Sequence, residues 1–399
     1  MTLDHSLQSL CEQGFSLKQW LPVFPHHDLN SLNQICSDYR LSLQRSVSRG
    51  GFLLSTPVST TNYNYKWPGF RLNSINGQLL DVNYNRNAFN IFIFGGSAVH
   101  GCYLPDNETV CSHLQSLCNS IAPTSATEVS IYNCSANNWT LENSYSFFRT
   151  LLLQGYIPDL VICLFGVNDA KNFCWQSDIS HVLNSLYLSS KSRTDFTIPG
   201  PSYLSSHDFS NADTSVCSNF FGFTQLLNQS LDESTALGLR YLATYTETLN
   251  SVFRMHVKSI GASYFGALQP IPSYNNSSKL ENEVLCQQSL FTNIDAIRRI
   301  NYFYSFCQSR KYQSAKHFRF PSPTSSSYLD FCHYSPFFSN LISQYIMKKI
   351  KPIFRLYRFK RNLPYIFKPK FKSPSLEDPS SMLINNNPLS YSDSNYPLY

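Results

Sequence analysis

Four places in this 399-residue chain hold side chains whose types and spacing can do chemistry. Ser97 follows two glycines in FNIFIFGGSAVHG (89–101), Asn133 and Asn138 bound NCSANN, Asn168 stands in GVND (166–169), and Asp330 with His333 forms a D-x-x-H pair. A serine hydroxyl becomes an effective nucleophile when an imidazole takes its proton, and the imidazole works best when a carboxylate fixes its tautomer and steadies its charged form. Two residues between Asp and His on a tight turn let the carboxylate reach one ring nitrogen and leave the other for the serine. An oxyanion formed in such a reaction needs preorganised donors, each worth about 2.7–4 kcal/mol when removed, and side-chain or backbone amides supply them. Taken alone, the GGS stretch leaves three roles open for Ser97: nucleophile, phosphate contact, or helix cap.

The elements that must hold these residues follow from hydropathy. Apolar runs at 91–94, in EVSIYN ending at Asn133, in DLVICLFG and in ASYFGALQP read as strands, and helical patterns lie between them. In the segment after the first strand, Val110, Leu114, Leu117, Cys118 and Ile121 share one helical face; after the second, Leu141, Tyr145, Phe148 and Leu152 do the same, with Gly155 as the stop. Alternation of this kind predicts parallel strands with crossover helices. A final short strand is expected near SSSYLD (325–330), followed by a helix that Ser335 caps and Pro336 opens. Each polar block therefore falls at a strand's carboxyl end, the edge of an open α/β sheet where ligands bind.

Rival readings of single residues are weighed by context. D-x-x-H also occurs at Asp178–His181, inside an expected helix and without a preceding strand, so His333 is preferred as the base. His100 is expected to line the helix or the pocket rim, and Asp169 to act as a cap. Neither G-x-G-x-x-G nor G-x-x-x-x-G-K-[ST] is present, which disfavours a nucleotide site at GGS.

In order and context the four blocks resemble those of the SGNH hydrolases, the GDSL esterase and lipase superfamily, over about residues 66–350. That resemblance implies a three-layer α/β/α sandwich with a mostly parallel central sheet, flavodoxin-like in layout. It implies Ser97 as nucleophile, Asp330 and His333 as acid and base, and an oxyanion hole from the amides of Ser97 and Asn138 and the side chain of Asn168. No metal or organic cofactor is required. The family usually carries glycine where this chain has Asn138; a backbone donor survives that change, and if the position needs positive φ, asparagine is among the least costly replacements. Family members act on lipid esters, acetylated sugars and thioesters. The expected function is a serine esterase, with an O-acetylated carbohydrate preferred because the polar insert shows no apolar lid. An O-acyltransferase using the same site and a catalytically silent binding protein are the alternatives.

Composition frames the rest. The formal charge of +6 comes from residues 348–372, which hold ten Lys and Arg and no acid; without them 21 basic residues face 25 acidic, a balance of −4. Basic residues interleaved with Phe and Tyr suit an anionic membrane surface or polymer, and no specific nucleic-acid partner is expected. The expected domains are an extension at 1–65, a hydrolase-like domain at 66–350 with an insert at about 170–236, and a basic then polar tail at 351–399. The twelve cysteines contain no C-x-x-C pair and no export signal is visible, so reduced thiols and a cytoplasmic location, peripheral to a membrane through the tail, are expected.

Overall fold

A computed structural model describes residues 17, 20–44, 46–49, 52–55, 57–80, 84–121, 128–174, 231–271, 294–309, 327–329 and 332–361. From the amino end come α1 (Leu29–Gln44), the hairpin of β1 (Ser46–Arg49) and β2 (Phe52–Ser55), short strands β3 (Val58–Ser59), β4 (Asn64–Lys66) and β5 (Phe70–Arg71), and a second hairpin of β6 (Asn73–Ile75) and β7 (Gln78–Leu80). Then follow β8 (Phe89–Gly95), α2 (Ser97–His100), α3 (Val110–Ile121), β9 (Val129–Asn133), α4 (Leu141–Leu153), β10 (Leu160–Phe165) and α5 (Val167–Cys174). The chain continues with α6 (Glu233–Ser259), β11 (Ser263–Leu268), α7 (Ile294–Ser309) and α8 (Pro336–Arg361).

The apolar runs become the parallel centre of a seven-stranded sheet ordered β11-β10-β8-β9-β5-β4-β3. β8 pairs in parallel with both β9 and β10, and β10 with β11, while β5, β4 and β3 extend the sheet antiparallel. The four parallel strands thus run second-first-third-fourth, and the strand order reverses at the gap between β8 and β10. Side chains alternate across the sheet as strand geometry demands. Phe92, Phe94, Val161, Cys163 and Tyr132 enter one core with α4, α6 and α7 residues such as Phe148, Phe253 and Tyr304. Ile91, Ile93, Leu160, Ile162 and Ile131 enter the other, with Leu114 of α3 and Phe338, Ile342 and Ile346 of α8. This is a three-layer α/β/α sandwich with a mixed, mostly parallel sheet. All seven residues of β8 are buried, which explains the apolar run Ile91–Phe94; the one polar side chain, Asn90, donates from Nδ2 to Asn85 O and Ala88 O.

Helix ends follow local chemistry. Thr140 accepts from Asn143 N while Asn143 Oδ1 accepts from Thr140 N, a reciprocal cap that starts α4, and Gly155 at φ 83° closes the turn beyond its end. Asp232 accepts from Thr235 N to start α6, and Ser335 Oγ accepts from Phe338 N to start α8.

Three expectations are revised. Of the strand expected at 325–330, the described residues 327–329 form an antiparallel bridge between Tyr328 and Tyr334 rather than a strand. α8 passes through the boundary drawn near residue 350 and carries Pro352 inside it. The amino-terminal boundary at 65 cuts through the structure: β3 and β4 belong to the central sheet, and Trp20, Phe24, Leu32 and Tyr39 share a third core with Tyr63, Tyr103 and Leu329. Most of the insert, and the tail beyond 361, lie outside the described residues. Among the described residues no helix is long and apolar enough to cross a membrane.

Candidate active site

β8 delivers Ser97 to the sheet's carboxyl edge through Gly95 and Gly96, and both glycines stand at close approaches. A Cβ on Gly95 would lie 2.6 Å from Val99 Cγ2 and 2.9 Å from Leu164 O, so a side chain would push the first turn of α2 off β10. On Gly96 a Cβ would run into Asn168 Nδ2. The Asn168 amide therefore packs directly on the backbone that precedes Ser97. β8 and β10 are the neighbours flanking the reversal in strand order, so Ser97 and Asn168 meet at the crevice where open α/β sheets place ligands.

His333 arrives from the opposite end of the sequence. Its Nε2 lies 2.8 Å from Ser97 Oγ. The segment that carries it is pinned on both sides: Leu329 N donates to His333 O at 2.9 Å, Ser335 N to Ser327 O at 3.0 Å, and Gln269 Nε2 to Cys332 O at 3.1 Å. Gln269 is itself anchored at the end of β11, donating from N to Phe165 O and accepting the Tyr304 hydroxyl on its carbonyl. On the other side of the imidazole, Cys332 Sγ is 3.7 Å from Nδ1. Asp330, the expected acid, and His181, the rejected base, lie outside the described residues.

The second block forms the site's other wall. Cys134 N donates to Ile93 O and Ala136 N to Gly95 O, so the loop after β9 keeps pairing with the end of β8. The loop then turns at Asn137–Asn138, with Trp139 N donating to Ala136 O at 3.4 Å. Asn138 is exposed and takes φ 58°, the left-handed region in which asparagine is several-fold enriched among non-glycine residues. Asn168 Nδ2 donates to Trp139 O at 3.0 Å and ties this turn to the first turn of α5. An amide nitrogen carries two hydrogens, so the same group retains a second donor.

Asp169 caps twice. Its Oδ1 accepts from Leu141 N at 3.0 Å and its Oδ2 from Gly166 N at 2.9 Å, joining the starts of α4 and α5. Burial pushes its carboxyl up to about 6, against the pull of those two backbone donors.

His100 does not line a rim. It is 2% exposed, with Nδ1 donating to Ser135 O at 2.7 Å and Nε2 accepting the Tyr65 hydroxyl at 2.8 Å. Burial first, and the Arg71 guanidinium second, lower its imidazole to about 3, so it is neutral and structural at ordinary pH. Its hydrogen bond to Ser135 fixes the loop after β9 against α2.

Two residues that shape this region gave no signal in the sequence. Arg71, fully buried, donates from Nε to Asp106 Oδ1, from Nη1 to the carbonyls of His100 and Gly101, and from Nη2 to those of Leu104 and Asn62. It holds the whole loop that follows Ser97. Tyr103, within that loop, takes φ 64° and packs edge-on against His333 with ring centroids 5.5 Å apart. A lone arginine in a short polar strand and a tyrosine in a loop carry no pattern that distinguishes them.

The chain matches no protein-family model and no curated protein. Among solved structures it is similar to an alpha/beta hydrolase enzyme from the metagenome of Lake Arreo, Spain, at 12% identity and a TM-score of 0.26, covering 66% of this chain and 96% of that one. A likeness at that level carries no argument about what this chain does.

Proposed function

We propose that the chain is a serine hydrolase that cleaves a carboxylic ester through an acyl-enzyme. The observation that carries this reading is the 2.8 Å contact between Ser97 Oγ and His333 Nε2 at the ligand edge of the sheet. Nucleophile and base within hydrogen-bond reach, each on a separately anchored segment, is the arrangement that activates a hydroxyl. In the reaction, His333 Nε2 takes the Ser97 proton as Oγ attacks the ester carbonyl. The oxyanion is received by the N–H groups of Ser97 and Asn138 and by the second N–H of Asn168 Nδ2. Collapse expels the alcohol, which leaves with the proton held on His333, and water then repeats the sequence to release the acid. Asp330 is assigned as the carboxylate that orients His333, on its place in D-x-x-H.

The polar composition of the insert at about 170–236, which shows no apolar lid, makes an O-acetylated sugar the first class to screen. The test is labelling by a fluorophosphonate probe, together with hydrolysis of short-chain nitrophenyl esters, on the native chain and on Ser97→Ala. Labelling and turnover that vanish in Ser97→Ala are expected. A folded native chain that neither labels nor turns over refutes the assignment.

A further inference from the structure

The amino-terminal segment touches the site at two consecutive residues, Cys102 and Tyr103. Tyr103 is 8% exposed and its ring meets three others: His333 at 5.5 Å, Trp20 at 5.1 Å and Tyr39 of α1 at 4.9 Å between centroids. Its backbone sits at φ 64°, a genuine outlier for a bulky residue, and such a conformation persists only when the surroundings over-determine it. Trp20 and Tyr39, both buried, are those surroundings. One residue earlier, the Tyr39 hydroxyl donates to Cys102 Sγ at 3.3 Å, and Cys102 Sγ donates in turn to Asn137 Oδ1. Asn137 precedes Asn138 in the turn that forms the site's other wall. Tyr39 of α1 is thus linked to the imidazole by way of the Tyr103 ring and to the 136–139 turn by way of the Cys102 thiol.

We propose that Tyr103 is a positioning residue for His333, and that Trp20 and Tyr39 of the amino-terminal segment clamp it, so that this segment is a working part of the site. The proposal rests on the hydrolase reading for its catalytic consequence, but not for its structural one. The His333 imidazole has rotational freedom about its side-chain torsions unless something bears on its flank. Tyr103 bears on it edge-on, and the clamp keeps Tyr103 from relaxing to an ordinary backbone conformation, which would swing its ring away. Loss of the clamp misplaces the base relative to Ser97 without removing either group.

The test uses the full chain with carbon-13-labelled histidine, the His333 imidazole C–H resonances being identified by their loss in His333→Gln. Tyr103→Leu keeps apolar bulk without a ring. It is expected to move those resonances and to slow the limiting rate of fluorophosphonate acylation about ten- to a hundredfold, the range a misplacement near 1 Å produces, with little change in apparent affinity for the probe. Tyr103→Phe restores both. Trp20→Ala moves the same resonances in the same direction, and decides the matter alone if Tyr103→Leu does not fold. A folded Tyr103→Leu chain, or a folded Trp20→Ala chain, whose His333 resonances stay in place overturns the proposal. If the native chain does not acylate, the hydrolase reading falls, while the resonances still decide whether Tyr103 and its clamp hold the imidazole.

Discussion

Removing His100 should change how stability depends on pH. Its imidazole is 2% exposed, gives one ring nitrogen to Ser135 O and the other to the Tyr65 hydroxyl, and is lowered to about 3 by burial and by Arg71. In the unfolded chain the same group titrates near 6.5. Between those values the unfolded state binds more protons than the native state, so stability rises with pH across the window and is lost as pH falls through it. The slope is about 1.4 kcal/mol per pH unit, which amounts to about 2 kcal/mol between pH 6.5 and pH 5. His100→Gln lacks this term, whereas all other titrating groups are common to both chains and cancel in the difference. The native chain's advantage over His100→Gln should therefore shrink by about 2 kcal/mol from pH 7 to pH 5 in urea-unfolding midpoints. A constant gap across that range would mean that His100 takes a proton in the folded chain without cost, and the assignment of both its hydrogen bonds would be wrong.

Other perturbations test the walls of the site. Gly96→Ala places a Cβ on Asn168 Nδ2, and the displaced donor should lower the acylation rate of Ser97 by about 10²–10³-fold in probe kinetics. At Asn138, with φ 58°, Gly should be tolerated without loss, while Val should cost about 1–2 kcal/mol in thermal or urea unfolding; equal stability of the two would argue against the left-handed turn. Arg71→Met strands the Asp106 carboxylate in the core and should destabilise by about 3–5 kcal/mol, and adding Asp106→Leu should recover part of that loss. If the double variant is no more stable than Arg71→Met, the ion pair is not the source of the cost.

The parallel half of the sheet was legible because a strand buried on both faces leaves a run of apolar residues, as in Phe89–Gly95 and Leu160–Phe165. The polar ends of those strands were legible by their order, and Ser97 Oγ lies 2.8 Å from His333 Nε2 at that edge. The antiparallel half was not, since Val58–Ser59, Asn64–Lys66 and Phe70–Arg71 are two or three residues long and mostly polar, too short for a period to show. Arg71, His100 and Tyr103 owe their roles to tertiary partners that no local pattern announces. His100, three positions from Ser97, reads as lining the helix or the pocket rim, and one turn of helix carries it inward to Tyr65. The strand expected at 325–330 rests on the short stretch SSSYLD, and among its described residues, 327–329, the backbone pairs with the nearby Tyr334.

Ser97 and His333 are 236 residues apart in sequence. During synthesis Ser97 leaves the ribosome long before the residue it pairs with, and every described strand of the central sheet has emerged before His333 does. α8, which follows His333 directly, packs on α3 and closes the second core. The same late segment therefore completes both a packing layer and the pair at the sheet edge. A nascent or prematurely ended chain lacks that pair however well its sheet has formed, so the Ser97–His333 contact is made only at the last stage of assembly.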